Sequence, residues 1–321
     1  MSERRWHQPL TSNHGQSTLD LERAYEQLAE WCRKRDFAGY DPFDGLNSRL
    51  FQATPLRRSR TIRLVWTQFF KRSPVNLRRL AGVPVERNAK GTALFALAAL
   101  ARFRMHRSKE AAGEACELIG SLLAERINGW SGAAWGYNFD WQGRAFYAPR
   151  GTPTIVPTAF AVRALVEAAR AFGEERYTAA ARSSCHFILH DLHRSIETED
   201  ELCFSYSPLD QTRVFNASLL AAETLASVSH LTGEQPLREV ALRATRYVVR
   251  RMRPDGSWAY GAEDYQSWMD SFHTAFVLTS LARIAATCDA GEELMEALRS
   301  GYHFWRISFF LADGWPKYYH D

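Results

Sequence analysis

The densest chemistry in this 321-residue chain lies in one stretch, Trp135-Gly136-Tyr137-Asn138-Phe139-Asp140-Trp141-Gln142-Gly143-Arg144, which continues to Tyr147. It interleaves flat aromatic faces with one carboxylate, one guanidinium and two phenols. Sugars carry an apolar face with polar edges, so Trp135, Trp141 and, in a later copy of the motif, Trp258 suit them as platforms, with Tyr147 at the edge. Asp140 could serve as general acid or base, and Tyr137 could move a proton if its pKa were lowered. Arg144 could clamp a uronate or another anion with two parallel hydrogen bonds. The plainer alternative is that the aromatics plug gaps between helices and that Asp140 and Arg144 form a structural ion pair.

The pattern of aromatic, spacer and tyrosine returns as Phe204-Ser205-Tyr206, Trp258-Ala259-Tyr260 and, less closely, Trp315-Pro316-Lys317-Tyr318. Beyond the Trp258 motif, Asp270 stands one helical turn before His273, so the carboxylate could orient an acid-base imidazole. Asn216 holds the corresponding place in the preceding segment and could reach the same cavity. Asp41 and Asp44 flank Pro42-Phe43; paired carboxylates are what glycoside hydrolysis requires, although aspartates also favour turns for their own backbone bonds.

Something must bring these residues together, and the helical pattern supplies it. Four alanine- and leucine-rich segments begin alike, at Thr92-Ala93-Leu94, Thr158-Ala159-Phe160, Asn216-Ala217-Ser218 and Thr274-Ala275-Phe276. Their near-regular spacing suits two helices with their loops. Ala159 to Phe172 stops at Gly173 before Glu174 to Leu192. Leu219 to Leu231 stops at Thr232-Gly233, and Pro236 opens the next helix. Ala275 to Thr287 precedes Glu292 to Phe310. The first helix of each pair is small and apolar and the second is charged, which predicts an inner and an outer layer.

A period of two helices places every connector at one end of the ring and gathers Tyr137, Tyr206 and Tyr260 around its mouth, where any of the three could transfer a proton. Further helices over Leu19 to Arg33 and Thr61 to Phe70 would bring the count to about five or six hairpins. The expected organisation is a disordered tail over residues 1–18 and one all-α domain over 19–321.

Composition sets the limits. Hydrophobic residues make up 46% of the chain and aromatics 13%, enough for a sizeable core. The net charge of +4 permits an acidic partner without demanding one. Five scattered cysteines without a CxxC pair argue against a disulfide framework or a zinc site and for a reducing compartment. No secretory leader or membrane-spanning run is present in the sequence, so a cytoplasmic location is expected.

The basic segment 57–79 holds Arg57, Arg58, Arg60, Arg63, Lys71, Arg72, Arg78 and Arg79. It could dock a membrane-associated synthase at the inner membrane, or simply be a solvated helix face. Charge elsewhere is nearly balanced, so nucleic acid is not an expected partner. Phosphate-cradling, dinucleotide, HExxH and GxSxG motifs are all missing, so neither cofactor nor metal is expected.

The segment Asp255-Gly256-Ser257-Trp258-Ala259-Tyr260-Gly261, followed by Trp268 and Asp270 before a small-residue helix, resembles the connectors of α/α toroid proteins. That group includes six-hairpin glycosidases, toroidal polysaccharide lyases, uronyl epimerases and terpenoid cyclase toroids, and the likeness spans about residues 85 to 321. It implies an α/α toroid acting on a polysaccharide or oligosaccharide, as hydrolase, lyase or epimerase. The aspartate-rich DxDD signature of one cyclase class is absent. An isoprenoid enzyme that stabilises carbocations on aromatic faces, and a non-catalytic glycan-binding scaffold of a polysaccharide assembly system, are the other two readings.

Overall fold

A computed structural model describes residues 14–143, 146–289 and 291–320. Eleven helices are formed among these residues. Three precede the regular repeats: α1 (His14–Arg33), α2 (Arg49–Gln52) and α3 (Arg60–Arg72). Four antiparallel pairs follow, α4 (Ala89–His106) with α5 (Lys109–Ala124), α6 (Ile155–Phe172) with α7 (Glu175–His190), α8 (Phe215–Thr232) with α9 (Gln235–Val249), and α10 (Ser271–Thr287) with α11 (Gly291–Ser308). Two small hairpins decorate the connectors, β1 (Trp141–Gln142) with β2 (Tyr147–Ala148) and β3 (Arg194–Glu197) with β4 (Leu202–Phe204).

The inner layer is α4, α6, α8 and α10, each packed on the next, and the outer layer is the second helix of each pair. Small residues let the inner helices approach closely, and Ala161, Ala164, Leu165, Ala217, Ala221, Ala222 and Leu225 are fully buried. Stops fall where sequence chemistry placed them. Gly173 and Gly233 end α6 and α8 in the left-handed conformation at φ 70° and 80°, which a side chain would resist. Pro236 sits in the first turn of α9, where its missing N–H costs no bond.

The N-terminal third completes the architecture less regularly. α1 lies against the first hairpin through Arg33 to Glu114 at 2.8 Å and Arg102 to Glu26. It begins at His14 and so takes in the last five residues of the stretch expected to be tail; residues 1–13 lie outside the described residues. α2 and α3 form no hairpin of the repeating kind. They pack with two single-turn helices, Asp44–Asn47 and Pro55–Arg58, around a small separate core of Phe70, Ala81 and Val83.

Below the connector end the ring interior is filled by side chains. Phe160 of α6 meets Phe276 of α10 edge to face at 6.0 Å. One layer deeper, Arg163 of α6 donates to Glu223 of α8 at 2.6 Å, and Ser280 of α10 donates to the same carboxylate at 2.8 Å. Glu223 is 2% exposed, so its charge is tolerable only because these donors surround it.

Candidate active site

The aromatic-spacer-tyrosine connectors have a structural logic of their own. The Trp135 indole N–H donates to the carbonyl of Leu122 in the last turn of α5 at 2.7 Å. The Trp258 N–H does the same for Val248 of α9 at 2.9 Å. Both indoles therefore satisfy carbonyls that the end of an outer helix leaves unpaired. They are 0% and 2% exposed, which removes Trp135 and Trp258 from the expected sugar platforms and makes them struts.

The tyrosines of the last three motifs carry a second duty, whereas the Tyr137 carbonyl accepts the Gly151 amide at 3.0 Å. The carbonyl of Tyr206 accepts the first amide of α6 from Ile155, at 3.0 Å. Those of Tyr260 and Tyr318 accept the first amides of α8 and α10, from Phe215 and Ser271, at 3.2 and 2.9 Å. Each of these three connectors thus caps the inner helix one repeat earlier, while Asn88 caps α4. This backbone register holds the tyrosines at the N-terminal ends of the inner helices, the end at which the connectors were expected to gather. The spacer is constrained as well: a Cβ on Gly136 would stand 2.1 Å from the Thr152 carbonyl oxygen, so only glycine fits.

Two clusters result. In the first, the hydroxyls of Tyr137 and Tyr206 are 3.1 Å apart. Trp141 lies against Tyr206 with ring centres 5.2 Å apart, and Phe139 stacks on Tyr137 at 5.1 Å. Burial pushes the Tyr137 phenol up to about 12 and raises Tyr206 well above its ordinary value. These phenols are held neutral. They can donate hydrogen bonds, but the lowered pKa that a tyrosine base needs is not built here.

In the second cluster, Asp270 caps α10 by accepting the His273 amide at 2.8 Å, and its other oxygen meets His273 Nδ1 at 2.6 Å. A carboxylate only accepts, so the ring donates from Nδ1 and turns Nε2 the other way. Burial raises the Asp270 pKa, but hydrogen bonds from the His273 ring and amide outweigh it and leave the group below its usual range. Asp270 is 1% exposed at its side chain and His273 27%, so the imidazole is the solvent-facing member. Tyr260 packs edge to face on His273 at 4.6 Å and stacks on Trp268 at 4.5 Å, and burial raises its phenol too. A cavity of about 10 Å³, the room one water needs, lies between Asn216, Tyr260, Asp270 and His273. The Asn216 side-chain oxygen is buried there with no hydrogen-bond partner among the described residues.

The remaining expected residues divide. Asp140 accepts from Tyr147 Oη at 2.7 Å, Gln52 Nε2 at 3.0 Å and the Arg150 amide at 2.7 Å. Both of its oxygens are committed to holding the connector against the N-terminal third, and that task replaces the acid-base role expected of it. Asp44 is buried in an ion pair with Arg78 at 2.6 Å and accepts the Asp41 amide, so it is a structural anchor rather than half of a catalytic pair. Asp41 has one oxygen on the Phe43 amide, and burial, with Asp44 nearby, raises its pKa. Arg144 lies outside the described residues. The turn 41–47 does pack on the long connector, through Asn47 Nδ2 to the Asn138 carbonyl at 2.8 Å.

Lys90 was not anticipated. Its ammonium stands 4.9, 5.4 and 5.9 Å from the ring centres of Phe160, Phe276 and Phe272. It forms no ion pair with a carboxylate among the described residues, and burial lowers its pKa, partly opposed by Asp41. The available signal was a lone charge in the first turn of an otherwise apolar inner helix. Among the described residues no three His, Cys, Asp or Glu side chains come together as metal donors, and no helix is long and apolar enough to cross a membrane.

An α/α toroid with a mouth of tyrosines and one His-Asp pair defines the class of fold, and solved structures agree. A cellobiose 2-epimerase from Spirochaeta thermophila matches with a TM-score of 0.59 at 15% identity, over 88% of this chain and 79% of that one. The unsaturated glucuronyl hydrolase of Bacillus sp. GL1 matches at 0.53 and 19%, over 85% and 76%. A family 76 glycoside hydrolase, a mannosidase from Bacteroides thetaiotaomicron, matches at 0.51 and 10%, over 70% and 60%. The chain has the α/α toroid fold of these enzymes. No protein-family model and no curated protein matches the sequence.

Proposed function

We propose that the chain is a carbohydrate-active enzyme whose chemistry is proton transfer at a sugar carbon, giving epimerisation or elimination. The observation that carries this reading is the 2.6 Å contact between His273 and Asp270 at the connector end of the ring. An imidazole whose Nδ1 is fixed by a carboxylate presents Nε2 for taking a proton from carbon beside a carbonyl or carboxylate, and for returning it. The neutral phenols of Tyr260, Tyr137 and Tyr206 supply hydrogen bonds to the oxygen on which negative charge gathers. Lys90, caged by phenyl rings, adds a cation at the same mouth.

Hydrolysis by two carboxylates is less well supported, since Asp140 and Asp44 are committed to structural bonds. The isoprenoid reading needs a deep apolar cavity, where this ring holds the Phe160–Phe276 contact and the Arg163–Glu223 pair. A reducing cytoplasm fits the five thiols, which are free.

Incubating neutral and acidic oligosaccharides with the protein in deuterated water tests the reading. The expected result is deuterium at one ring carbon, detected by mass spectrometry, and its loss in His273→Ala. Elimination would show instead as new reducing ends with the absorbance of an unsaturated sugar; new reducing ends with neither deuterium nor that absorbance would assign hydrolysis and overturn the proposal.

A further inference from the structure

The basic segment 57–79 does more than cover a helix. Arg57, Arg58 and Arg63 surround a cavity of about 270 Å³ whose other walls are Gln52 and Tyr147. The Arg63 guanidinium carbon stands over the Tyr147 ring, 4.1 Å from its centre, and the group donates to Gln142 Oε1 and to the Arg57 carbonyl, both at 2.8 Å. None of the three guanidinium groups pairs with a carboxylate among the described residues. Elsewhere Arg33, Arg78, Arg150, Arg163, Arg213 and Arg251 all do. Asp140 beneath the cavity already accepts from Gln52 and Tyr147 and from the Arg150 amide, so its charge is largely answered.

The cavity is tied to the tyrosine mouth by the β1–β2 hairpin. Gln142 pairs with Tyr147 and Trp141 with Ala148, and alternate residues of a strand face opposite ways. One face therefore turns Gln142 toward Arg63, while the other lays Trp141 on Tyr206. Groove and mouth are separated by the thickness of one hairpin, so neighbouring residues of one extended chain can occupy both.

We infer that this groove is a subsite for a carboxylate-bearing sugar residue of an acidic polysaccharide, which makes the substrate of the proposed enzyme a polyuronate. The inference rests on the carbohydrate reading above. Planar guanidinium groups match a carboxylate with paired hydrogen bonds, and the Tyr147 edge and Gln52 amide suit sugar hydroxyls. A membrane surface is flat, whereas here the three arginines line a concavity together with Gln52 and Tyr147; exposed Leu56 and Val65 stand nearby in the chain, so vesicles belong in the test.

The test is a binding measurement that needs no turnover. Titration calorimetry compares an oligogalacturonate, the same oligomer with its carboxyls reduced to alcohols, and vesicles containing phosphatidylglycerol. The acidic oligomer is expected to bind at least about tenfold more tightly than the reduced one, with affinity falling as salt rises. Arg57→Ala/Arg58→Ala, two exposed positions, should erase that difference at an unchanged melting temperature. Equal affinity for both oligomers, no effect of the double substitution, or binding to vesicles alone would overturn it. Deuterium incorporation into the reduced oligomer, with no preference for the acidic one, would leave the enzyme reading standing and sink only this subsite.

Discussion

One carboxylate holds both ends of His273: Asp270 accepts its backbone amide at 2.8 Å and meets its Nδ1 at 2.6 Å. The helix cap and the orientation of the imidazole are therefore one device, and substitutions can pull the two apart.

Asp270→Asn retains a good capping side chain but presents the wrong partner to Nδ1, whereas Asp270→Ala loses both functions. The asparagine variant should melt close to the parent while deuterium exchange falls about 10²–10⁴-fold, as for other mis-oriented histidine bases. The alanine variant should lose similar activity and about 1 kcal/mol of stability besides. Equal melting temperatures for the two variants would show that the cap contributes nothing.

The tyrosine pair predicts an alkaline signature. Tyr137 is raised by burial to about 12, so between about pH 10 and pH 12 the fold keeps a proton that the unfolded chain has released. Its contribution to stability is whole below the unfolded value and is lost as pH rises toward the folded one. Tyr137→Phe should flatten that alkaline decline, read from urea midpoints between neutral and strongly alkaline pH.

Lys90 works in the other direction. Its folded pKa is lowered by burial, so at neutral pH the native state holds a charge it binds less well than the unfolded chain does. Stability rises with pH through the window between the lowered value and the unfolded one, about 10.4. Lys90→Met should be more stable than the parent at neutral pH, lose that advantage as pH climbs through the window, and be catalytically impaired. Such a trade is expected where a strained charge serves function.

Glu223 tests the ring interior. Removing it leaves Arg163 buried without its counter-charge, at 10% side-chain exposure. Glu223→Ala should cost about 3–5 kcal/mol in denaturant unfolding, and a double change of Glu223 and Arg163 to apolar residues of similar size should recover much of it. Equal losses in the single and double variants would mean that the pair is not coupled.

Much of the ring was legible because it depends on local chemistry. Gly173, Gly233 and Pro236 punctuate helices by backbone conformation alone, and the repeat of small apolar residues marks the inner layer. The gathering of Tyr137, Tyr206 and Tyr260 at one end follows from the two-helix period. Roles within the site were harder. Trp135 and Trp141 look alike in sequence, yet one spends its N–H on Leu122 inside the wall while the other lies on Tyr206. Asp140 looks like a free carboxylate until Gln52, far away in sequence, is seen to bind it. The Lys90 cage needs Phe160, Phe272 and Phe276 from two other helices, which no local pattern reveals.

The capping of α6, α8 and α10 by the tyrosine of the next connector has a consequence for synthesis. As the chain leaves the ribosome, α6 carries a bare first amide until Tyr206 has been made, α8 waits for Tyr260, and α10 for Tyr318. The mouth is thus finished always one repeat behind the growing end. A chain halted before Tyr318 would carry His273 and Asp270 on a helix whose first turn has not yet been closed.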